Sequence, residues 1–114
     1  AIQMEEVLLS NVNSCALAED GSLLVGFLVW QETDFEAEVL QIAVLPNYQG
    51  RKIATALFDF LPANKEIFLE VRESNKPALL FYKKEKFEEI ARRKAYYHAP
   101  VEDAIVMKRE DHER

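Results

Sequence analysis

The sequence predicts a mixed α/β domain, with one central sheet in which two strands run parallel and the others antiparallel. Three observations carry that expectation. An Asp20-Gly21 pair joins two apolar runs in the manner of a hairpin turn. A helical stripe lies between two strand-like runs, Val39 to Leu45 and Glu66 to Arg72, and such a crossover sets its two strands parallel. Two further runs, Phe87 to Tyr97 and Ala104 to Lys108, close the sheet as an antiparallel pair.

Taken in order, Met4 to Leu9 reads as the end of a helix, because Met4, Val7 and Leu8 recur at helical spacing before the polar turn Ser10 to Ser14. Cys15 to Ala18 and Leu23 to Gln31 are strands, joined by Glu19-Asp20-Gly21-Ser22, and Val39 to Leu45 is a third that ends at Pro46. Gln49 to Leu61 has the clearest helical pattern: Ile53, Ala56, Leu57, Phe60 and Leu61 fall on one stripe, and Pro62 stops it. After the strand Glu66 to Arg72, Ser74-Asn75 caps a second helix over about Pro77 to Glu85, with Pro77 in its first turn. The tail from Arg109 to Arg114 is charged and expected to fray.

A chain of 114 residues, 49% apolar and 30% charged, has the size and composition of one folded domain, residues 1–114. The single cysteine, Cys15, has no internal partner, which fits a reducing, cytoplasmic setting and a small buried side chain rather than a nucleophile. The apolar run Leu23 to Trp30 is far short of the ~20 residues of a spanning helix and no signal peptide opens the chain, so no membrane is expected. With 14 basic and 20 acidic residues, the net charge of -6 argues against direct nucleic-acid binding. It is compatible with a basic peptide partner, and equally with an ordinary solvated surface. His98 and His112 have no metal-like spacing with each other or with Cys15, so no metal is expected.

The most informative stretch is Val44 to Ala54, a strand end, a turn and a helix start. Unpaired N–H groups and the positive end of the helix dipole suit a pyrophosphate there, and Arg51 and Lys52 add charge. A plain connecting turn explains these residues equally well. Within the strand Glu66 to Arg72, Ile67, Leu69 and Val71 point one way and Phe68, Glu70 and Arg72 the other. From the residues alone, Glu70 is first a partner for Arg72 on the same face.

Gln49-Gly50-Arg51-Lys52-Ile53-Ala54 resembles the acetyl-CoA pyrophosphate loop of GNAT acetyltransferases, Q/R-x-x-G-x-G/A, with Lys52 at the first glycine and Ala54 an accepted variant of the second. Lysine can take helical dihedrals at that position and still present its N–H. Further along come L-E-V-R-E-S-N from Leu69, Leu80-Phe81-Tyr82, R-R-K-A-Y-Y from Arg92 and E-D-A-I-V-M from Glu102. In that order they resemble signatures of the bacterial enzymes that acetylate the N-terminal alanine of a ribosomal protein. The similarity runs from about Val7 to Lys108 and omits the family's first strand and most of its opening helices. Lys86 stands at a glycine of the family's L-G-F turn, where a left-handed lysine would cost roughly 1 kcal/mol.

The resemblance implies the GNAT fold, splayed where the parallel strands meet, with acetyl-CoA in the opening and no metal. It implies Glu70 as general base, Tyr82 as the acid that protonates the CoA thiolate, and backbone N–H groups at Ile42, Ala43 and Val44 of a bulged strand holding pantetheine and the thioester carbonyl. Gln49, Gly50, Arg51, Lys52, Ile53 and Ala54 would hold the pyrophosphate and Asn75 the pantetheine arm. Tyr82 is otherwise a core tyrosine, Asn75 an ordinary helix cap, and Tyr96 and Tyr97 either groove residues or packing. The acceptor implied is the N-terminal peptide of a ribosomal protein. Its alternatives are a lysine side chain, a small amine, or no catalysis at all in a CoA-binding module, and the sequence leaves the oligomeric state open.

Overall fold

The structure, a computed structural model, describes residues 1–110. Seven strands form one sheet: β1 (Ile2–Leu8), β2 (Asn13–Asp20), β3 (Leu23–Glu32), β4 (Glu36–Val44), β5 (Glu66–Arg72), β6 (Glu88–Tyr97) and β7 (Glu102–Arg109). Their order across the sheet is β1-β2-β3-β4-β5-β7-β6. Only the β4–β5 pair is parallel, as the crossover through α1 (Ile53–Phe58) requires. The second helix, α2 (Lys76–Lys84), links β5 to β6.

Both helices cover one face. Alternation along β5 sends Ile67, Leu69 and Val71 into the core, where they meet Leu57 and Phe58 of α1, Tyr82 of α2 and Phe87. On the other half of the sheet Ala16, Ala18, Val25, Leu28 and Trp30 fill the same layer. Gly21 turns the first long hairpin at φ +63°, the left-handed conformation expected of an Asp-Gly turn. Cys15 is buried, as its side chain predicts. Among the described residues no helix is long and apolar enough to cross a membrane.

Two elements differ from expectation. The segment expected to end a helix at Met4 to Leu9 is the edge strand β1, paired with β2 from Ile2↔Asp20 to Leu8↔Ser14. Ile2 and Met4, two apart, pack on the core, whereas Leu8 is 72% exposed, so the helical spacing of Met4, Val7 and Leu8 is coincidental. Residues 9–12 join β1 directly to β2, with no helix between them.

The helix expected over Gln49 to Leu61 is only Ile53–Phe58. Gly50 at φ +81° and Lys52 at φ 64° are both left-handed, so the backbone cannot enter the helix before Ile53. At the far end the N–H groups of Phe60 and Leu61 bond to Leu57 O and Phe58 O, tightening the last turn before Pro62. Pro46–Tyr48 is a separate 3₁₀ turn.

Candidate functional site

β4 and β5 stay together for three residue pairs, Glu36↔Glu66, Ala37↔Ile67 and Glu38↔Phe68, and then part. The cause lies on the next strand over. Pairing of β4 with β3 slips between Val29↔Gln41 and Trp30↔Val39, so Leu40 is an extra residue on β4. A bulge there increases the local twist and turns the strand away from β5. The strand that carries Ile42 to Val44 is thus bulged, with the extra residue at Leu40. Beyond it, Ile42, Ala43 and Val44 remain paired with β3 on one edge and line the opening with the other. Gly26 keeps this region close-packed, since an added Cβ would meet Ala43 O at 3.2 Å and Ile53 Cγ2 at 3.4 Å.

The opening is a cleft of about 630 Å³ on the helix-bearing side of the splay. Ile42, Ala43 and Val44 form one wall, Gln49, Gly50, Lys52, Ile53 and Ala54 the next, and Asn75 and Tyr82 the third. Gln49 donates from Nε2 to Val44 O at 3.0 Å, which ties the loop to the strand end. The first helical N–H of α1 with an intrahelical acceptor is that of Ala56, on Lys52 O at 3.1 Å, leaving the donors of the first turn toward the cleft end of the helix. Lys52 does not take the expected helical dihedrals. It is left-handed, a conformation that glycine takes freely and lysine does not.

Arg51 does not line the cleft. Its guanidinium lies 4.6 Å over the ring of Tyr48, whose hydroxyl donates to Asp20 Oδ2 at 2.6 Å. Tyr48 does line it, together with Thr55, Pro77, Ala78, Phe81 and Lys84, none of which the sequence reading assigns to the site. Ala78, Phe81 and Tyr82 lie three, six and seven residues after Asn75, so helical spacing from the cap was a signal available for them. Asn75 caps α2, its Oδ1 accepting from the Ala78 N–H at 3.3 Å. Among the described residues neither Lys52 nor Lys84 has a carboxylate partner.

Tyr82 is both a core residue and a cleft residue. It is 8% exposed and its ring lies 6.0 Å from both Phe58 and Phe87. Burial, and then the field of Tyr97, hold its phenol above the ordinary value near 10.

Glu70 belongs to a second cavity, of about 250 Å³, that opens on the face away from the helices. Glu36 and Glu38 of β4 share it with Gln31 and Thr33. The partner of Glu70 is not Arg72. Arg93 Nη1 of β6 lies 2.6 Å from Glu70 Oε2 and its guanidinium sits 4.2 Å from the Tyr96 ring. Arg72 turns instead to Glu102, at 3.1 Å, and to the Tyr97 ring, at 4.4 Å. Ser74, and then Arg72, hold the Glu102 carboxyl below its ordinary value.

A two-residue irregularity in β6 between Arg93 and Tyr97 folds Tyr96 and Tyr97 around this cluster, with Ala95 at φ 49° and its N–H on Asp103 Oδ1 at 2.9 Å. Among the described residues no group of His, Cys, Asp or Glu could hold a metal ion. His112 lies outside the described residues.

Residues 11–89 match the model of the acetyltransferase (GNAT) domain. The chain is 35% identical over 101 residues to the N-alpha-acetyltransferase RimI of Mycobacterium tuberculosis, covering 82% of this chain and 63% of that protein. It is 36% identical over 97 residues to the [ribosomal protein bS18]-alanine N-acetyltransferase of Haemophilus influenzae, covering 77% of this chain and 66% of that protein. An uncharacterized protein of Mycobacterium leprae, ML0378, is 37% identical over 111 residues, 90% of this chain but 31% of the relative. The chain thus spans from about a third to two thirds of these relatives' lengths.

The crystal structure of the ribosomal-protein-S18-alanine N-acetyltransferase from Escherichia coli superposes with a TM-score of 0.82 at 28% identity, over 90% of this chain and 71% of that one. With the splayed parallel pair, the cleft beside it and a family match over more than half of its length, the chain belongs to the GNAT acetyltransferase family.

Proposed function

We propose that this domain transfers an acetyl group from acetyl-CoA to a primary amine, in the finest form of the proposal the N-terminal alanine of a ribosomal protein, in a reducing, cytoplasmic compartment. The observation that carries the proposal is the pair of cavities flanking one splay, a long cleft on the helix side and an acidic cavity holding Glu70 on the other. A cosubstrate and an acceptor can then approach the splay from opposite faces. The cleft fits acetyl-CoA in its chemistry: strand backbone for a pantetheine arm, and the N–H groups of Gly50 to Ala54 with Lys52, which has no carboxylate partner among the described residues, for phosphates. Acetyl-CoA supplies the activated acyl group.

The residues do the rest. Glu70 takes a proton from the amine, directly or through a water, once the cation beside it has moved. Backbone donors near Ala43 polarise the thioester carbonyl. Tyr82, whose proton is held by burial, is poised to protonate the departing thiolate. Three carboxylates in the acceptor cavity favour a cationic acceptor and weaken its capture with salt. An α-amine, with an ordinary pKa near 7.7 to 8.0 against about 10.4 for lysine, costs roughly 3 kcal/mol less to deprotonate. The similarity to enzymes named for ribosomal-protein alanine supports that acceptor in particular.

Calorimetric titration with acetyl-CoA should give saturable binding that weakens when Gln49 and Gly50 are replaced by proline. A basic peptide starting with alanine should then be acetylated faster than its N-terminally blocked twin carrying a free lysine. The reverse order would reassign the acceptor, and binding without turnover of any amine would leave a CoA-binding module.

A further inference from the structure

Glu70 and Arg93 stand on strands separated by β7. Glu70 faces Val106, and Val106 faces Ala91; Arg72, Ala104 and Arg93 form the next row on the same face. The two side chains therefore meet diagonally across β7, above Ala104, whose fully buried methyl is too short to part them. The members of the pair differ in access. The Glu70 side chain is 18% exposed and that of Arg93 is 54% exposed, with one guanidinium face on Tyr96. The carboxylate is enclosed, and the guanidinium lies across its outer side as the exchangeable member.

The remaining charges favour exchange. Glu36 and Glu38 line the same cavity, and Glu38 adds to the field of Glu70 that holds the proton on Arg93. Arg93 thus has carboxylates on two strands between which it can be shared. Arg72 does not fill the gap, since Glu102, Pro100 O and the Tyr97 ring engage it.

We propose that Arg93, through its ion pair with Glu70, is a specificity-determining residue beside the acceptor cavity: its guanidinium occupies, next to Glu70, the place that the ammonium group of the acceptor takes on binding. The proposal rests on the role assigned to Glu70. An aliphatic amine arrives as a cation, displaces Arg93 toward Glu38 and solvent, and gains the carboxylate. An arylamine, uncharged at neutral pH, brings nothing that replaces the guanidinium and is excluded. The acceptor class is therefore cationic aliphatic amines, and selection occurs before any proton is removed.

The wild-type protein without acetyl-CoA gives a readout independent of turnover, the side-chain ¹H–¹⁵N signals of Arg93. Titration with an alanine-terminated peptide that lacks lysine and arginine, and separately with methylamine, should shift those signals, while the same peptide N-acetylated should not. In the kinetic arm, Arg93→Gln should lower the acceptor KM about threefold to fivefold, the scale of one exposed ion pair, with kcat nearly unchanged and arylamine turnover increased. Guanidinium ion added to that variant should raise KM again, and Arg93→Lys should lie between the variant and wild type. Arg93 signals that ignore every free amine, or a KM in Arg93→Gln equal to or above that of wild type, would overturn the proposal. Should the wild type acetylate no amine, the proposed function fails, and the Arg93 titration still decides the counter-ion exchange.

Discussion

The two cavities beside the splay are built from different chemistry. The helix-side cleft is walled by strand backbone, by a loop with two left-handed residues and by a helix anchored through aromatic packing; its lysines have no carboxylate partners among the described residues. The cavity holding Glu70 carries three carboxylates, Glu36 and Glu38 of β4 and Glu70 of β5, and the last of these is paired with Arg93 of β6. A backbone-walled site is as stable as the packing beneath it. A charge-walled site keeps its shape by pairings that a substrate can exchange. Substitutions should therefore separate the two, in stability on one side and in acceptor kinetics on the other.

The largest effect is expected beneath the cleft. Phe58 is 1% exposed and its ring lies within 6.0 Å of those of Phe81, Tyr82 and Phe87. Phe58→Ala should cost about 3–5 kcal/mol in denaturant unfolding and abolish acetyl-CoA binding at temperatures where the wild type binds. A loss below about 1 kcal/mol would mean that the aromatic cluster does not support the cleft. Next in size are the two groups given proton-transfer roles. Glu70→Gln and Tyr82→Phe should each lower kcat by about 10²-fold with acetyl-CoA affinity nearly unchanged. Undiminished turnover in both would remove those roles.

Tyr82 gives a smaller effect whose sign follows from burial. Its folded-state pKa is raised, so the stability contributed by the neutral phenol is complete below about pH 10 and is lost as pH rises from there through the raised folded value. Alkaline unfolding should be less steep in Tyr82→Phe than in wild type. Equal slopes in the two proteins would show that groups other than Tyr82, such as Tyr48 and Tyr97, whose phenols are also held above their ordinary value, set it.

The difference between the cavities also explains how much the sequence disclosed. The crossover, the Asp-Gly hairpin and the closing β6–β7 pair were legible because each depends on neighbours in the chain. Most of the cleft residues were reached through the resemblance to a known loop and to known signatures, which works where a site falls on short consecutive stretches of one strand, one loop and one helix. The alternation of β5 placed Glu70 on the face opposite the core, yet assigned it the wrong partner. Arg72 is two residues away in sequence, whereas Arg93 reaches Glu70 only after β7 inserts between their strands. Helical periodicity overstated α1 at both ends, since it is blind to the left-handed residues at Gly50 and Lys52. It misassigned β1 for a related reason, because an edge strand half open to solvent shows only part of its alternation.

The smallest expected effects come from two lysines in left-handed conformations, and they test whether the cleft differs from the rest of the fold in what its strain does. Lys86, at φ 77°, is the C′ residue of a Schellman motif: its N–H bonds to Lys83 O at 3.1 Å, the N–H of Phe87 bonds to Tyr82 O at 2.9 Å, and the Phe87 and Tyr82 rings supply the accompanying apolar contact. Glycine there would relieve roughly 1–2 kcal/mol of left-handed strain and lose about 0.5–1 kcal/mol to the freedom it gives the unfolded chain. Lys86→Gly should therefore stabilise by about 0.5–1 kcal/mol, a rise of a few degrees in Tm, with acetyl-CoA affinity unchanged. Lys52, at φ 64°, carries the same strain inside the cleft wall. Lys52→Gly should match Lys86→Gly in Tm, and it also removes a cation that has no carboxylate partner among the described residues while letting a phosphate approach the backbone more closely. If the strain at Lys52 is retained for its charge, affinity should fall in Lys52→Gly and weaken less steeply with salt than in wild type. If close backbone approach matters more, affinity should rise, and the lysine is then a handicap that the rest of the cleft offsets.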